Sequence, residues 1–273
     1  MQMPYMLHTK EKIYNLNEET LVMGILNVTP DSFSDGGKYN EVDAAVKQAI
    51  AMEKDGADII DIGGESTRPG YTPVSTQDEI DRVVPIIRAV KEAVNIPISI
   101  DTYKAETAKH ALEAGASILN DIWGAKRDPE MAKVAAAYEV PIILMHNREN
   151  MYYDDLMEDI KEDLKESIDI ALEAGVKKEN IILDPGIGFA KTAEDNLEVM
   201  RHLDALEELP FPMLLGTSRK SMIGKVLGVP AAERDAGTGA TVCYGISKGA
   251  KIVRVHNVRM IKDMTKMMDA MMG

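Results

Sequence analysis

Eight short apolar runs rich in Ile, Val and Leu recur along the chain, each followed by a turn and then by a longer amphipathic stretch. They are LVMGILN (21–27), DIIDIGG (58–64), PISID (97–101), SILND (117–121), PIILMH (141–146), NIILDPG (180–186), PMLLGTS (212–218) and KIVRVH (251–256). Apolarity that continues without alternation marks strands covered on both faces, and parallel strands need helices between them. The Ala-rich stretches EVDAAVKQAIAMEKDGA and YKAETAKHALEAGA supply such helices, with Gly56 and Gly115 placed for left-handed caps. Eight strand–helix units without a long structureless linker predict an α/β fold, a (β/α)8 TIM barrel, whose usual length is about 250 residues. A doubly wound open sheet is the alternative; no break separates two half-domains and no GxGxxG follows the first strand, which favours the barrel. Residues 1–20, where EKIYNLNEET reads as a turn between short strands, are expected as an N-terminal β-hairpin closing the barrel's bottom. The whole chain, 1–273, then forms one domain.

Composition narrows the function classes. A formal net charge of −14 and the lack of basic stripes argue against nucleic acid or an anionic membrane as partner. An anionic substrate would therefore need a local cluster of cations. Cys243 is the single cysteine, so neither a disulfide framework nor a cysteine metal cage is available, and a cytoplasmic location is expected. Cys243 itself reads as a buried small residue. The N-terminal stretch MQMPYMLHTKEKIYN lacks a signal-peptide core, and no segment reaches the ~18 apolar residues of a membrane span.

The strand ends carry the chemistry. Every one of the eight runs ends in polar groups: Asn27, Glu65 to Arg68, Asp101, Asn120 with Asp121, His146, Asp184, Ser218 to Lys220, and Arg254 with His256. Loops converge at the C-terminal face of a TIM barrel, and catalysis sits there. Asp101, Asn120 and Asp184 should project into one cavity, a set suited to a flat hydrogen-bonding heterocycle, because a carboxylate accepts two parallel bonds from a ring N–H and an adjacent amino group. Hard-oxygen binding of Mg²⁺ is the competing role. Arg68, Lys220, Arg254 and His256 make the cationic set an anionic substrate requires. His8, His110 and His202 read as surface or local packing residues. Phe33 stands alone among turn formers, with no core to join.

The segments MGILNVTPDSFSDGG and GADIIDIGGESTRPG resemble the two signature segments of the dihydropteroate synthase family, and SIDTYK, ILNDI, LDPGIGFAK, GTSRKS and RVHNV resemble its later motifs in order. The resemblance runs from about residue 20 to 260. It implies a TIM-barrel transferase that joins 6-hydroxymethyl-7,8-dihydropterin pyrophosphate to p-aminobenzoate, giving 7,8-dihydropteroate for folate synthesis and pyrophosphate. It implies Mg²⁺ held by pyrophosphate and Asn27, with Asp101, Asn120, Asp184 and Lys220 around the pterin. It places pyrophosphate near Thr67, Arg68, Arg254 and His256, and aminobenzoate near Arg68, Pro69, Phe189, Lys220 and Ser221. Phe33 and Pro69 are then expected to cover the reacting centre, with Asp35 ordering near Mg²⁺ and pyrophosphate. His146 is a weak candidate, because the following NRENMYYDDLMEDI departs from the sequence common in relatives. Met260, Met264, Met267, Met268 and Met271 lie at helical spacing, as a core stripe or as a subunit interface; the family's usual dimer favours a homodimer. Pterin-binding methyltransferases and a non-catalytic pterin-binding module are the alternatives, and SFSDGG, STRPG, GTSRKS and RVHNV speak against both. A Schiff-base role for Lys220 is a further alternative.

Overall fold

The protein is represented by a computed structural model that describes residues 5–28, 37–65 and 74–273. A hairpin of β1 (Met6–His8) and β2 (Ile13–Asn15) comes first. The barrel strands follow as β3 (Leu21–Asn27), β4 (Ile59–Gly63), β5 (Ile98–Asp101), β6 (Ile118–Asp121), β7 (Ile142–Met145), β8 (Ile181–Asp184), β9 (Met213–Leu215) and β10 (Ala250–Val255). All are parallel, and β10 pairs with β3 to close the ring. Interleaved with them are α1 (Gly37–Lys54), α2 (Thr76–Ala93), α3 (Ala105–Ala114), α4 (Met131–Tyr138), α5 (Leu156–Glu173), α6 (Ala193–Arg201), α7 (Ser221–Leu227), α8 (Asp235–Ser247) and α9 (Val258–Met272). The expected barrel is therefore the architecture, and the open sheet is not.

Local chemistry sets the helix starts. The Ser75 hydroxyl accepts from the Asp78 amide to begin α2, and Thr192 and Asp195 form a reciprocal capping box at α6. Gly115 ends α3 with φ +123°, a backbone that side chains other than glycine rarely adopt.

The strands do alternate, although their sequences hide it. Ile60 and Ile62 of β4 face the helices with Val83 and Ile87 of α2, whereas Ile59 points into the barrel with Leu21, Met23, Ile118, Ile143, Ile182, Leu214 and Ile252. Leu7, Tyr14 and Leu16 join that inner cluster, so the hairpin does plug the bottom, and the Tyr14 hydroxyl donates to the Asp58 carbonyl at 2.8 Å. The turn is not where the sequence reading placed it. Thr9 to Lys12 make it, through Thr9 N–H to the Lys12 carbonyl at 3.0 Å, and EKIYNLNEET instead contains β2.

Successive inward residues of a strand lie two apart. Two steps beyond the inner apolar layer the same face carries Asp61, Asn120, Met145, Asp184, Gly216 and Arg254. The interior is oily below and polar above, and in β4, β6, β8 and β10 the change occurs between one inward residue and the next.

The C-terminal methionines divide. Met264 and Met268 pack against the core from α9, while Met267 and Met271 are exposed. Cys243 on α8, expected to be buried, is only half-buried. His8 is exposed, and His110 and His202 lie on exposed helix surface beside Glu106 and Glu198, as expected. Among the described residues no helix is long and apolar enough to cross a membrane.

Candidate active site

The polar layer surrounds a cavity at the C-terminal mouth of the barrel. Asp101, Asn120, Asp184, Lys220, Phe189 and Arg254 line it, with Ile122, Met145 and Ile187 as apolar walls and Gly216 leaving room between strands. A larger hollow of about 220 Å³ at the opposite end is bounded by Tyr5, Asn17, Phe211 and Gly249; its polar side chains lie away from the converging strand ends.

Arg254 organises the deep wall. Its Nε donates to Asp61 Oδ2 at 2.6 Å and its Nη2 to Asp101 Oδ2 at 2.7 Å. The same Asp61 oxygen accepts from Asn120 Nδ2 at 3.1 Å. Asp61 is 0% exposed, and its Oδ1 and that of Asp101 are buried without a hydrogen-bond partner among the described residues. Buried acceptors are normally satisfied, so the Asp101 oxygen, on the cavity lining, marks where a donor-rich ligand would sit. Asp184 spends Oδ1 on the Gly186 amide at 2.7 Å.

The electrostatics follow from burial. Desolvation pushes the Asp101 carboxyl up, to about 7, against the pull of Arg254, and the neighbouring Asp61 charge adds to the rise. Asp184 is also raised by burial, with the Gly186 amide and Lys220 opposing. Burial alone would lower Arg254, yet Asp61 and Asp101 hold it above the ordinary guanidinium range. The wall holds one more carboxylate than cation, so it favours a ligand that donates hydrogen bonds or gains positive charge. Lys220 completes it, its ammonium 4.2 Å from the centroid of the Phe189 ring.

Of the site residues expected from sequence, Asp101, Asn120, Asp184, Lys220, Arg254 and Phe189 are brought together. His256 stands at the β10 end with Nδ1 2.9 Å from the Ser218 hydroxyl, and Ser221 opens α7 immediately after Lys220. Thr67, Arg68, Pro69, Phe33 and Asp35 lie outside the described residues. Of the described strand-end groups, Asn27, Ser218, Arg219 and His256 do not line the cavity, and three more are held elsewhere. Asp121 faces outward and accepts from the Trp123 and Ala125 amides, Glu65 is bound to Lys104, and His146 is buried between Asp163 and Lys191. Asp61 is the buried partner of Arg254 and Asn120 that the strand-end reading missed. Its signal was an acid flanked by isoleucines, which only an inward position paired with a cation makes tolerable.

Among the described residues no group of three or more His, Cys, Asp and Glu could cage a metal. Asn27, partly exposed at the end of β3, offers an amide oxygen, a hard donor. Mg²⁺ takes most of its ligands from water and substrate phosphates and asks only one or two oxygens of the protein, so this donor fits.

Residues 23–256 match the family described as pterin binding enzyme. The dihydropteroate synthase of Bacillus subtilis (strain 168) is 60% identical over 267 residues, spanning 98% of this chain and 94% of that protein. Among solved structures, the Clostridium difficile dihydropteroate synthase in the presence of pteroic acid superposes with a TM-score of 0.93 at 51% identity, covering 94% of this chain and 98% of that one. The Xanthomonas albilineans enzyme with 4-aminobenzoic acid gives a TM-score of 0.94 at 39% identity, covering 99% of both chains. On this length and depth of similarity, and with the pocket those motifs build, the chain belongs to the pterin-binding enzyme family, among its dihydropteroate synthases.

Proposed function

We propose that the chain condenses 6-hydroxymethyl-7,8-dihydropterin pyrophosphate with p-aminobenzoate, forming 7,8-dihydropteroate and pyrophosphate, by departure of the pyrophosphate before the amine attacks. The observation that carries this reading is the cluster of buried, half-satisfied carboxylates beside the Lys220–Phe189 shelf. The pteroic acid and 4-aminobenzoic acid present in the similar structures support the substrate classes.

In this mechanism the pterin lies in the cavity, with Asp184 accepting from its ring N–H and amino group and Asn120 and Lys220 completing the recognition. Cleavage of the C–O bond leaves a cation delocalised over the dihydropterin. Asp101 and Asp184 are fixed near it in a water-poor site, where preorganised charge counts most. Arg254 and His256 receive the charge that grows on pyrophosphate oxygen. Asn27 would hold Mg²⁺, which supplies Lewis-acid stabilisation of the leaving group. Phe189 and Lys220 orient the aromatic amine, whose low basicity makes positioning and exclusion of water more important than deprotonation. Thr67, Arg68, Pro69, Phe33, Asp35 and Ser221 complete the pyrophosphate and aminobenzoate subsites in this reading.

The test is dihydropteroate formation, followed by chromatography, with and without each substrate in the presence of Mg²⁺. Product requiring both substrates is expected; pterin binding without turnover would leave a binding module and overturn the proposal.

A pH dependence follows from Asp101. Its raised pKa, about 7, means that it takes up a proton as pH falls through that value, and the protonated acid no longer stabilises a cation. kcat/KM should therefore fall on the acid side of about 7, and in Asp101→Asn this limb should be absent from an activity that is low throughout. A limb that persists in the variant would assign it to another group.

We also read the protein as a cytoplasmic homodimer. Val226 and Leu227 of α7, Tyr244 of α8, and Met267 and Met271 of α9 are exposed apolar side chains on successive helices, which supports a subunit contact. Light scattering should give the mass of two chains; a monomer would refute it.

A further inference from the structure

Phe189 is both a wall of the cavity and the support of Lys220, yet it stands on an irregular loop between β8 and α6. Three residues there, Gly186, Gly188 and Ala190, have φ of 70°, 86° and 46°. At Ala190 this left-handed backbone carries a side chain and is strained. Such a loop keeps its shape only where its surroundings over-determine it.

Lys191 provides much of that constraint. It is 7% exposed, and its ammonium reaches the carbonyls of Gly186 and Phe189, both at 3.2 Å, so it spans the segment that carries the phenyl ring. The same Nζ lies 2.7 Å from His146 Nδ1, and His146 Nε2 lies 2.9 Å from Asp163 Oδ2 on α5. The ionised Asp163 carboxylate can only accept, so Nε2–H donates to it and Nδ1 accepts from Lys191, which fixes the imidazole tautomer. Burial lowers His146 to about 4 and Lys191 to about 7, so the ring is neutral and the amine beside it is only partly protonated near neutral pH.

The stretch after β7 closes the arrangement. Arg148 Nε donates to Asp163 Oδ2 at 2.5 Å, and its guanidinium lies 4.7 Å from the centre of the Tyr153 ring. The Tyr153 hydroxyl in turn donates to the Ala190 carbonyl at 2.7 Å. The departure in sequence after LMH thus acquires a structural role. Lys191, His146 and Tyr153 are absent from the residues that line the cavity.

We propose that Lys191, His146 and Tyr153 are positioning residues that hold Phe189, and through it the slot for the aromatic amine, without touching substrate. The inference rests on the reading above that Phe189 borders the aminobenzoate.

In Lys191→Met the KM for p-aminobenzoate should rise about tenfold, since small misplacements of positioning groups are costly. The dissociation constant of the dihydropterin pyrophosphate, measured by calorimetry, should change less, within about threefold, as Lys191 bonds no cavity carboxylate and its pull on Asp184 is weaker than those of the Gly186 amide, Lys220 and Arg254. If Lys191 acts through Phe189, the same change in a Phe189→Leu background should add less than about twofold, whereas independent sites would multiply. Tyr153→Phe removes one hydroxyl from a half-buried ring, keeps the fold if Lys191→Met does not, and should raise the same KM about threefold.

A readout independent of turnover separates this inference from the reading it rests on. With 4-fluorophenylalanine in place of phenylalanine the chain gives three fluorine resonances, and that of Phe189 should shift or broaden in Lys191→Met. An unchanged Phe189 resonance, multiplicative kinetic effects, or equal weakening of pterin and aminobenzoate would each overturn the proposal. Failure of the unsubstituted enzyme to make dihydropteroate would instead overturn the catalytic reading.

Discussion

Arg254→Met should cost the fold about 3–5 kcal/mol and lower kcat/KM by about 10³-fold. The side chain is 19% exposed and neutralises Asp61, which is 0% exposed, and Asp101 at the same time. Removing it leaves two carboxylates in one buried site with no cation between them. Breaking a buried pair from one side is expensive because the remaining charge has no compensation, whereas replacing all partners together is not. Asp61→Asn added to Arg254→Met should therefore recover a large part of the stability and little of the activity.

The loss should also depend on pH. Burial and Asp61 already raise Asp101, and removal of Arg254 takes away the opposing pull. The folded variant then binds more protons than the unfolded chain at intermediate pH, so its stability falls as pH rises. Denaturant unfolding at pH 5 and pH 8 checks this: the deficit against the unsubstituted protein should be larger at pH 8. A deficit equal at both values would mean that the guanidinium serves packing rather than charge.

The barrel was legible because eight apolar runs separated by amphipathic stretches admit few arrangements. The cavity was legible for a narrower reason. Asp101 and Asp184 end their strands and Asn120 comes one residue before the end of β6, so a search for polar strand ends finds all three. That search fails where inward position and strand end differ. Asp121 ends β6 but faces outward, where its carboxylate shapes the following turn, and His146 lies just past β7, buried between Lys191 and Asp163. Asp61 lies inside β4 and escaped notice for the converse reason. The rule that finds it is geometric: it sits two residues above the apolar layer on the inward face, and that layer is known only once the strands are registered. The β2 strand was lost because three residues, IYN, are too short for a period-two signal. Nothing in LDPGIGFAK distinguishes the buried lysine from an exposed helix-start residue, because the carbonyls and the imidazole that hold it are tertiary partners.

Asp184→Asn should lower kcat/KM by about 10³-fold while leaving the thermal midpoint unchanged or slightly raised. The amide has the shape of the carboxylate, and its oxygen can keep the 2.7 Å bond from the Gly186 amide, so the loop after β8 retains its anchor. Burial already disfavours the Asp184 charge, so a neutral group in its place relieves desolvation at no packing cost. What is lost is chemical. The second oxygen becomes an NH₂ donor facing the donors of a pterin edge, an attraction turned into a clash of like groups. The negative charge beside the forming pterin cation disappears as well, and Asp101, paired with Arg254, is left to stabilise it alone. Pterin affinity and the chemical step should therefore both suffer, with the larger share in kcat if charge on the cation matters more than recognition of the ground state. Steady-state kinetics, calorimetric pterin binding and a melting curve on the same preparation separate these contributions. More than about a tenth of the activity remaining in a variant that still binds pterin poorly would assign Asp184 to recognition alone and move the stabilisation of the cation to Asp101.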